Sequence, residues 1–413
     1  MKKSSSLHRF LINIYGYTFF DKLLLLTPVY AIFMQQHGIT DMQLSLLFIL
    51  LSVGTFTGQI PVTWLMNKIG PKYAMIIGQI LKGIGFIIWL FWPVFIGFAI
   101  GMFLWGVMYA IYNVALEGMI YDELRARRNH KIYAKVLGVQ RNISSAATAL
   151  SAFGSLLMFA GYNWITYVSL VMLAISVIFI WRIETNAYPR GRKQNIRKIR
   201  FITVFKTGAR ICRVTPCIFL MMVLTVLVEC MAYLDDYLSP IGYEIGLPVE
   251  FVGIIQFFIL GCVILGQTFA YRFARVKDWI IYSTICVGGV LFVLFSVFYS
   301  VSGLWLLGGA YVLFSAVSIL LYARFQDFLP SSYRSVILSI YSIANNIIYI
   351  VVCMLIGLGG LLGGWRYSVL ILGMGLIYIG AWALLFVGDK CAVNAAPNDR
   401  RIKNIARAAN NAS

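Results

Sequence analysis

Charge is what this sequence has least of. Asp, Glu, Lys and Arg make up 12% of its 413 residues, against 61% hydrophobic residues and a mean hydropathy of +0.84. Soluble domains carry about 25% charged and roughly 45–50% apolar residues, so a water-solvated fold is excluded. No G-x-x-x-x-G-K-[ST] loop occurs, which disfavours an ATP-driven pump. The only histidines, His8, His37 and His130, lie near tails or loops and offer little to a haem or metal centre in the membrane. Seven cysteines are scattered without a C-x-x-C pair, and they read as small buried hydrophobes rather than a disulfide or metal framework. No nucleophile, metal set or paired catalytic group gathers at one interface, so an enzyme is the weaker reading and no cofactor is expected. Acids are scarcer than bases, 15 against 34, for a net charge of +19. In a soluble protein that excess would point to nucleic acid; its placement along this chain gives it another meaning.

What the chain does have is a series of apolar runs, each about the 20 residues a helix needs to cross a bilayer. They predict twelve spans, over 11–33, 43–66, 73–92, 94–120, 137–160, 164–182, 215–240, 250–271, 279–300, 303–326, 335–358 and 366–388. The basic start MKKSSSLHRF resembles a signal peptide, but the run behind it is long and lacks a small-residue cleavage site, so it is read as a retained first span. With the N-terminus in the cytoplasm, 30 of the 34 cations fall in inner loops and tails, Arg366 alone falls outside, and Lys22, Lys82 and Arg141 lie within spans. That is the positive-inside asymmetry of a polytopic membrane protein with both termini cytoplasmic. The expected location is a bacterial cytoplasmic (inner) membrane.

The basic stretch 182–214 separates a six-helix bundle over 1–181 from a second over 215–388, followed by a cytoplasmic tail at 389–413. It reads as a solvated linker beside anionic headgroups. A shift of 208 residues places Gly38 on Gly246, Gly58 on Gly266, Gln59 on Gln267 and Asp21 on Glu229, as a duplicated unit would.

Several motifs carry a family resemblance. Gln59-Ile-Pro-Val-Thr-Trp-Leu-Met-Asn67-Lys68-Ile-Gly70-Pro71-Lys72 resembles the loop between helices two and three of the major facilitator superfamily, in the subgroup with the pattern E-x-P-T-G-x-x-A-D-x-x-G-R-K. Pro61, Gly70 and Lys72 are kept, while Gln59, Asn67 and Pro71 replace the glutamate, the acid and an arginine. Glu117-Gly-Met-Ile-Tyr121-Asp122-Glu-Leu124 resembles the E-A-x-I-Y-D-x-L at the inner end of helix four. Lys135-Val-Leu-Gly138 with Arg141 resembles the start of helix five, and Pro330-Ser-Ser-Tyr-Arg334-Ser-Val-Ile-Leu-Ser339 the P-S-x-x-R-A-T-x-x-S entering helix eleven. The resemblance implies an all-α membrane protein of twelve transmembrane helices in two pseudo-symmetric six-helix bundles. It also implies an inner gate involving Asn67, Lys68, Gly70, Lys72, Glu117, Asp122, Arg141 and Arg334, in a drug- or siderophore-type exporter. The proline-glycine motif of many antiporters is missing from the fifth span, which reads Ser144-Ser-Ala-Ala-Thr-Ala-Leu-Ser-Ala-Phe-Gly154.

An ionisable group near the bilayer centre costs about 3 kcal/mol or more and needs a partner, a wet cavity or a task. Eight qualify: Asp21, Lys22, Lys82, Glu117, Arg141, Glu229, Asp235 and Asp236. Asp21 and Glu229 are repeat-equivalent, and the resemblance places spans one and seven at a central cavity, so these two are the expected proton carriers. A fixed Asp21–Lys82 salt bridge is the alternative. Glu229, Tyr233 and Asp236 recur at helical spacing, as do Tyr341, Asn345 and Tyr349, and with Lys82 they are the expected substrate-cavity residues. Asp235 and Asp236 fall towards the outer end of their span, where a solvated role competes with substrate contact. The expectation is a secondary transporter working by alternating access, coupling protons to efflux of a small amphipathic compound or metabolite. A proton-coupled importer and a non-translocating sensor are the alternatives. Its partners would be the small-molecule substrate, protons and membrane lipid, with no nucleic acid, and it would act as a monomer.

Overall fold

The computed structural model describes residues 2–129, 132–184, 216–273, 276–329 and 334–392, and all regular structure among them is helical. Fourteen α-helices are described in chain order: α1 (Lys2–Lys22), α2 (Tyr30–Gln36), α3 (Asp41–Ile69), α4 (Pro71–Phe91), α5 (Phe95–Ala126), α6 (Tyr133–Ser151), α7 (Tyr162–Trp181), α8 (Pro216–Glu229), α9 (Leu238–Glu244), α10 (Val252–Ala270), α11 (Asp278–Val297), α12 (Leu304–Asp327), α13 (Arg334–Gly363) and α14 (Trp365–Ala392). Eleven described segments are long and apolar enough to cross a membrane. The twelfth crossing is the first, which escapes that criterion because its run is divided between α1 and α2.

That division corrects the continuous first span expected over 11–33. Pro28 lacks an N–H and disfavours a helical conformation in the residue before it, and the Leu26 N–H is taken by Ser169 Oγ at 3.0 Å instead of by its own helix. The seventh span, expected as one helix over 215–240, breaks in the corresponding place: α8 ends at Glu229, a 3-10 turn runs over Cys230–Tyr237, and α9 resumes at Leu238. The fifth likewise passes from α6 into a 3-10 helix at Ala152–Ala160.

The duplication seen in the sequence recurs in these interruptions. α2 and α9 begin 208 residues apart and end 208 residues apart, and each is followed by a left-handed glycine, Gly38 at φ 84° and Gly246 at φ 96°. Asp21 and Glu229 therefore sit at equivalent helix ends, beside the break in their respective spans.

The chain divides into two compact units, Met1–Ile196 with Leu238–Phe257, and Arg197–Tyr237 with Phe258–Ser413. In the first, α5 packs against α3 and α4, and α1 against α6 and α7. Phe10, Ile14 and Tyr17 of α1 recur every three or four residues and bury into a core with Met75, Ile111, Met119 and Ile180. Asp21 continues that stripe one turn on, which is why a carboxylate lies in the interior. The segment at 238–257 closes on the same unit: Ser239 Oγ donates to the Pro28 carbonyl at 2.5 Å, and Ser155 Oγ donates to the Glu250 carbonyl at 2.8 Å. In the second unit α11 packs on α12 and α14, α13 on α14, and α8 on α12.

A close approach joins α10 to α12 in the second unit. A Cβ on Gly266 would lie 2.0 Å from Ser315 Oγ and 2.2 Å from the Val312 carbonyl oxygen, so α10 and α12 meet backbone to backbone. Gly58, its repeat equivalent, leaves more room, with Ala110 Cβ at 3.2 Å and Val107 Cα at 3.3 Å. Gly266→Ala is expected to destabilise the detergent-solubilised protein by about 1–3 kcal/mol and Gly58→Ala by clearly less. Paired thermal unfolding curves check it, and equal losses would contradict this packing.

Candidate functional site

Three polar clusters interrupt the apolar bundles. The first is buried in the first unit. Gln79 and Lys82 lie one turn apart on the buried face of α4, and both reach Asp21: Lys82 Nζ stands 3.3 Å from Oδ1 and Gln79 Nε2 donates to the same oxygen at 2.9 Å. Gln79 Nε2 also lies 3.0 Å from the Tyr17 hydroxyl. Lys22 Nζ sits 3.5 Å from Asp21 Oδ2 and 4.6 Å from the centre of the Tyr112 ring. The Asp21 side chain is 0% exposed and that of Lys82 2%, so the carboxylate is held by two cations away from bulk water. Of the two readings the sequence left open for Asp21, the ion pair with Lys82 is the contact that forms.

The second cluster lies wholly in the second unit, where the two polar stripes meet rung by rung. The Tyr341 hydroxyl donates to Glu229 Oε2, Asn345 Nδ2 donates to the same oxygen at 3.3 Å, Tyr233 donates to Asn345 Oδ1 at 2.5 Å, and Tyr349 donates to Asp236 Oδ2 at 3.1 Å. The 3-10 geometry after Glu229 explains the last rungs. Side chains three apart eclipse in a 3-10 helix, so Tyr233 and Asp236 align, and Tyr349 both packs edge-on against the Tyr233 ring at 4.4 Å and bonds Asp236. Asp235 is turned to another face. It lines a cavity of about 320 Å³ with Glu229, Tyr233, Gln267, Tyr311 and Asn345. Of the two aspartates towards the outer end of the span, Asp236 thus joins the ladder, while Asp235 stands exposed in the cavity wall. Among the described residues no cation lies within ion-pair distance of Glu229 or Asp235, in contrast to Asp21.

The third cluster caps the end of α7. Asn13 donates to the Arg182 carbonyl at 3.2 Å, Lys72 to Ile183 at 2.8 Å and Arg127 to Glu184 at 3.0 Å, so three side chains satisfy consecutive carbonyls that a helix end leaves open. Gly70, at φ 84°, ends α3, and Pro71 opens α4, the favoured order for a helix-to-helix turn. Glu117 and Arg141 pair at 3.3 Å with 51% and 68% of their side chains exposed. The side chains of Asn67 and Arg334 lie outside the described ones, and Lys68 and Asp122 are each engaged in interactions within the fold.

The sequence reading missed several members. Gln79 and Gln267 carried a signal, as lone amides in apolar helices. Tyr311, Ser315 and Ser318 recur at helical spacing on α12, a stripe as regular as the two identified.

The polytopic helical bundle and the comparisons with known proteins together define a membrane transporter rather than an enzyme. The chain belongs to the Major Facilitator Superfamily, whose family model matches residues 11–352. No curated protein sequence matches it significantly. Its fold is similar to that of the nucleoside transporter NupG, with a TM-score of 0.72, 12% identity and coverage of 92% of this chain and 98% of that one. A bacterial homolog of the human lysosomal transporter Spinster, in an inward-facing and unoccupied conformation, gives 0.71 at 15% identity over 94% and 97%. A D-xylose–proton symporter gives 0.67 at 10% identity over 93% and 98%.

Proposed function

We propose that this protein is a proton-coupled secondary transporter that exports a small amphipathic compound or metabolite by alternating access. The observation that carries the reading is Glu229: a carboxyl at a helix break, lining a cavity, hydrogen-bonded by the neutral donors Tyr341 and Asn345 and by no cation among the described residues. Such a group can take up and lose a proton without breaking an ion pair. Asp21, held by Lys82 and Lys22, fixes the first bundle and is the less mobile of the two carboxyls. The ladder of Tyr233, Asp236, Tyr341, Asn345 and Tyr349 supplies the substrate contacts of the second bundle.

At the inner face, the exposed Glu117–Arg141 pair is worth at most about 1 kcal/mol, which suits a contact that opens and closes in each cycle. Lys72 and Gly70 set the α3–α4 turn against the end of α7, while Asn67, Lys68, Asp122 and Arg334 join the gate on the strength of the family resemblance. The bundles are 1–181 and 215–388, joined by the linker at 182–214 and followed by the tail at 389–413, and the protein acts as a monomer in a bacterial cytoplasmic membrane with both termini inside.

Inside-out vesicles loaded with a pH-sensitive dye test the reading against a panel of cationic drugs, sugars and siderophore-like compounds. At least one compound should evoke proton release from the vesicles that is absent from vesicles lacking the protein. Compound flux without proton movement would refute coupling.

A further inference from the structure

The cavity of the second unit is one-sided in its hydrogen-bonding capacity. Around it the hydroxyl donors are engaged: Tyr233 donates to Asn345, Ser315 to the Val312 carbonyl at 3.1 Å, and Ser318 to the Ser315 carbonyl at 3.1 Å. Each of these hydroxyls retains acceptor lone pairs. The Asn345 amide is engaged on both atoms, its oxygen by Tyr233 and its nitrogen by Glu229. Gln267 and the second N–H of Asn345 are the neutral amide donors left at the wall. What the cavity offers is therefore mostly acceptors, headed by the carboxylates of Glu229 and Asp235.

A second feature points the same way. Tyr311 is 4% exposed and lines the cavity beside Asp235, with its hydroxyl turned to that carboxylate, which leaves the phenol oxygen's lone pairs to serve as acceptors. Val228, Val263 and Phe314 complete the wall with apolar surface.

We propose that this cavity binds a protonated organic amine that still carries N–H donors, a primary or secondary ammonium on an apolar body, with Asp235 as its charge partner and the Tyr311 and serine oxygens as further acceptors. A volume of about 320 Å³ falls in the range of small-molecule sites. A neutral alcohol lacks the charge and a quaternary ammonium lacks the N–H, so both fit this wall less well. The inference rests on the transport reading, because it names the class of compound that the second bundle would carry, and Glu229 is left to the proton.

Calorimetric titration of the purified full-length protein in detergent tests it with three probes of one skeleton: 2-phenylethylamine as its cation, the N,N,N-trimethyl derivative and 2-phenylethanol. The amine should bind, the trimethyl compound at least about tenfold more weakly, and the alcohol not measurably. Asp235→Asn should weaken the amine at least about tenfold while Asp235→Glu, which keeps the charge, restores most of it. Equal binding of amine and alcohol, no binding of the amine, or Asp235→Glu failing together with Asp235→Asn in a folded protein would overturn the assignment. Binding without proton-coupled flux in vesicles would instead overturn the transport reading alone, and coupled flux of a non-amine without amine binding would overturn the substrate class alone.

Discussion

Asp21→Asn should cost the protein about 3–5 kcal/mol of stability, and adding Lys82→Met should restore most of it. The asparagine keeps an acceptor for Gln79 but removes the anion, leaving Lys82, 2% exposed, with only the Trp105 ring at 5.3 Å in support of its charge. A buried cation without its partner is the expensive species, and removing it with an apolar side chain of similar length removes the penalty. Lys82→Met alone should be milder, because Lys22 remains 3.5 Å from Asp21 and is partly exposed to water. Thermal unfolding in detergent should give a fall of roughly 5–10 °C for Asp21→Asn, less for Lys82→Met, and near-recovery for the pair. An additive double variant would show that the two groups do not interact. The same pair separates structure from transport: if Asp21 only fixes the bundle, the double variant keeps proton coupling.

Glu229→Gln should instead leave the fold intact and reduce substrate-evoked proton movement to the level of empty vesicles. Glutamine retains an acceptor for Tyr341, so the ladder holds, but no proton can be taken up or released at that position. Downhill movement of the compound should persist, because the substitution leaves the helix breaks and the Glu117–Arg141 pair untouched. A loss of all binding and flux together would place Glu229 among the substrate contacts rather than on the proton route.

The difference between these two carboxylates was only partly legible in the sequence. Their positions 208 residues apart, each in an apolar run, marked both as worth attention, and Lys82 was recognisable as a partner because an isolated lysine in a span needs an anion. Which aspartate or glutamate would be paired was a matter of tertiary packing: α4 brings Gln79 and Lys82 to Asp21, and no cation on the second unit's described helices does the same for Glu229. The stripes Glu229–Tyr233–Asp236 and Tyr341–Asn345–Tyr349 were legible because period 3.6 selects one helix face, but their meeting with each other was not. The breaks were harder. Pro28 gave a cue for the first, but Cys230–Tyr237 contains neither proline nor glycine, so nothing local announced the 3-10 turn that swings Asp235 into the cavity. Hydropathy, the positive-inside count and motif spacing gave the family and the number of crossings because lipid imposes those constraints on every residue of a span. Cavity chemistry depends on a handful of contacts between distant segments, to which single-chain patterns are blind.

The most direct test of the account is proton movement in inside-out vesicles carrying wild type, Glu229→Gln and the Asp21→Asn/Lys82→Met pair, with one transported compound added to each. The account predicts a dye response from wild type and from the pair and none from Glu229→Gln. A response that survives in Glu229→Gln, or that disappears only when Asp21 is changed, would contradict the assignment of the proton route to the second unit.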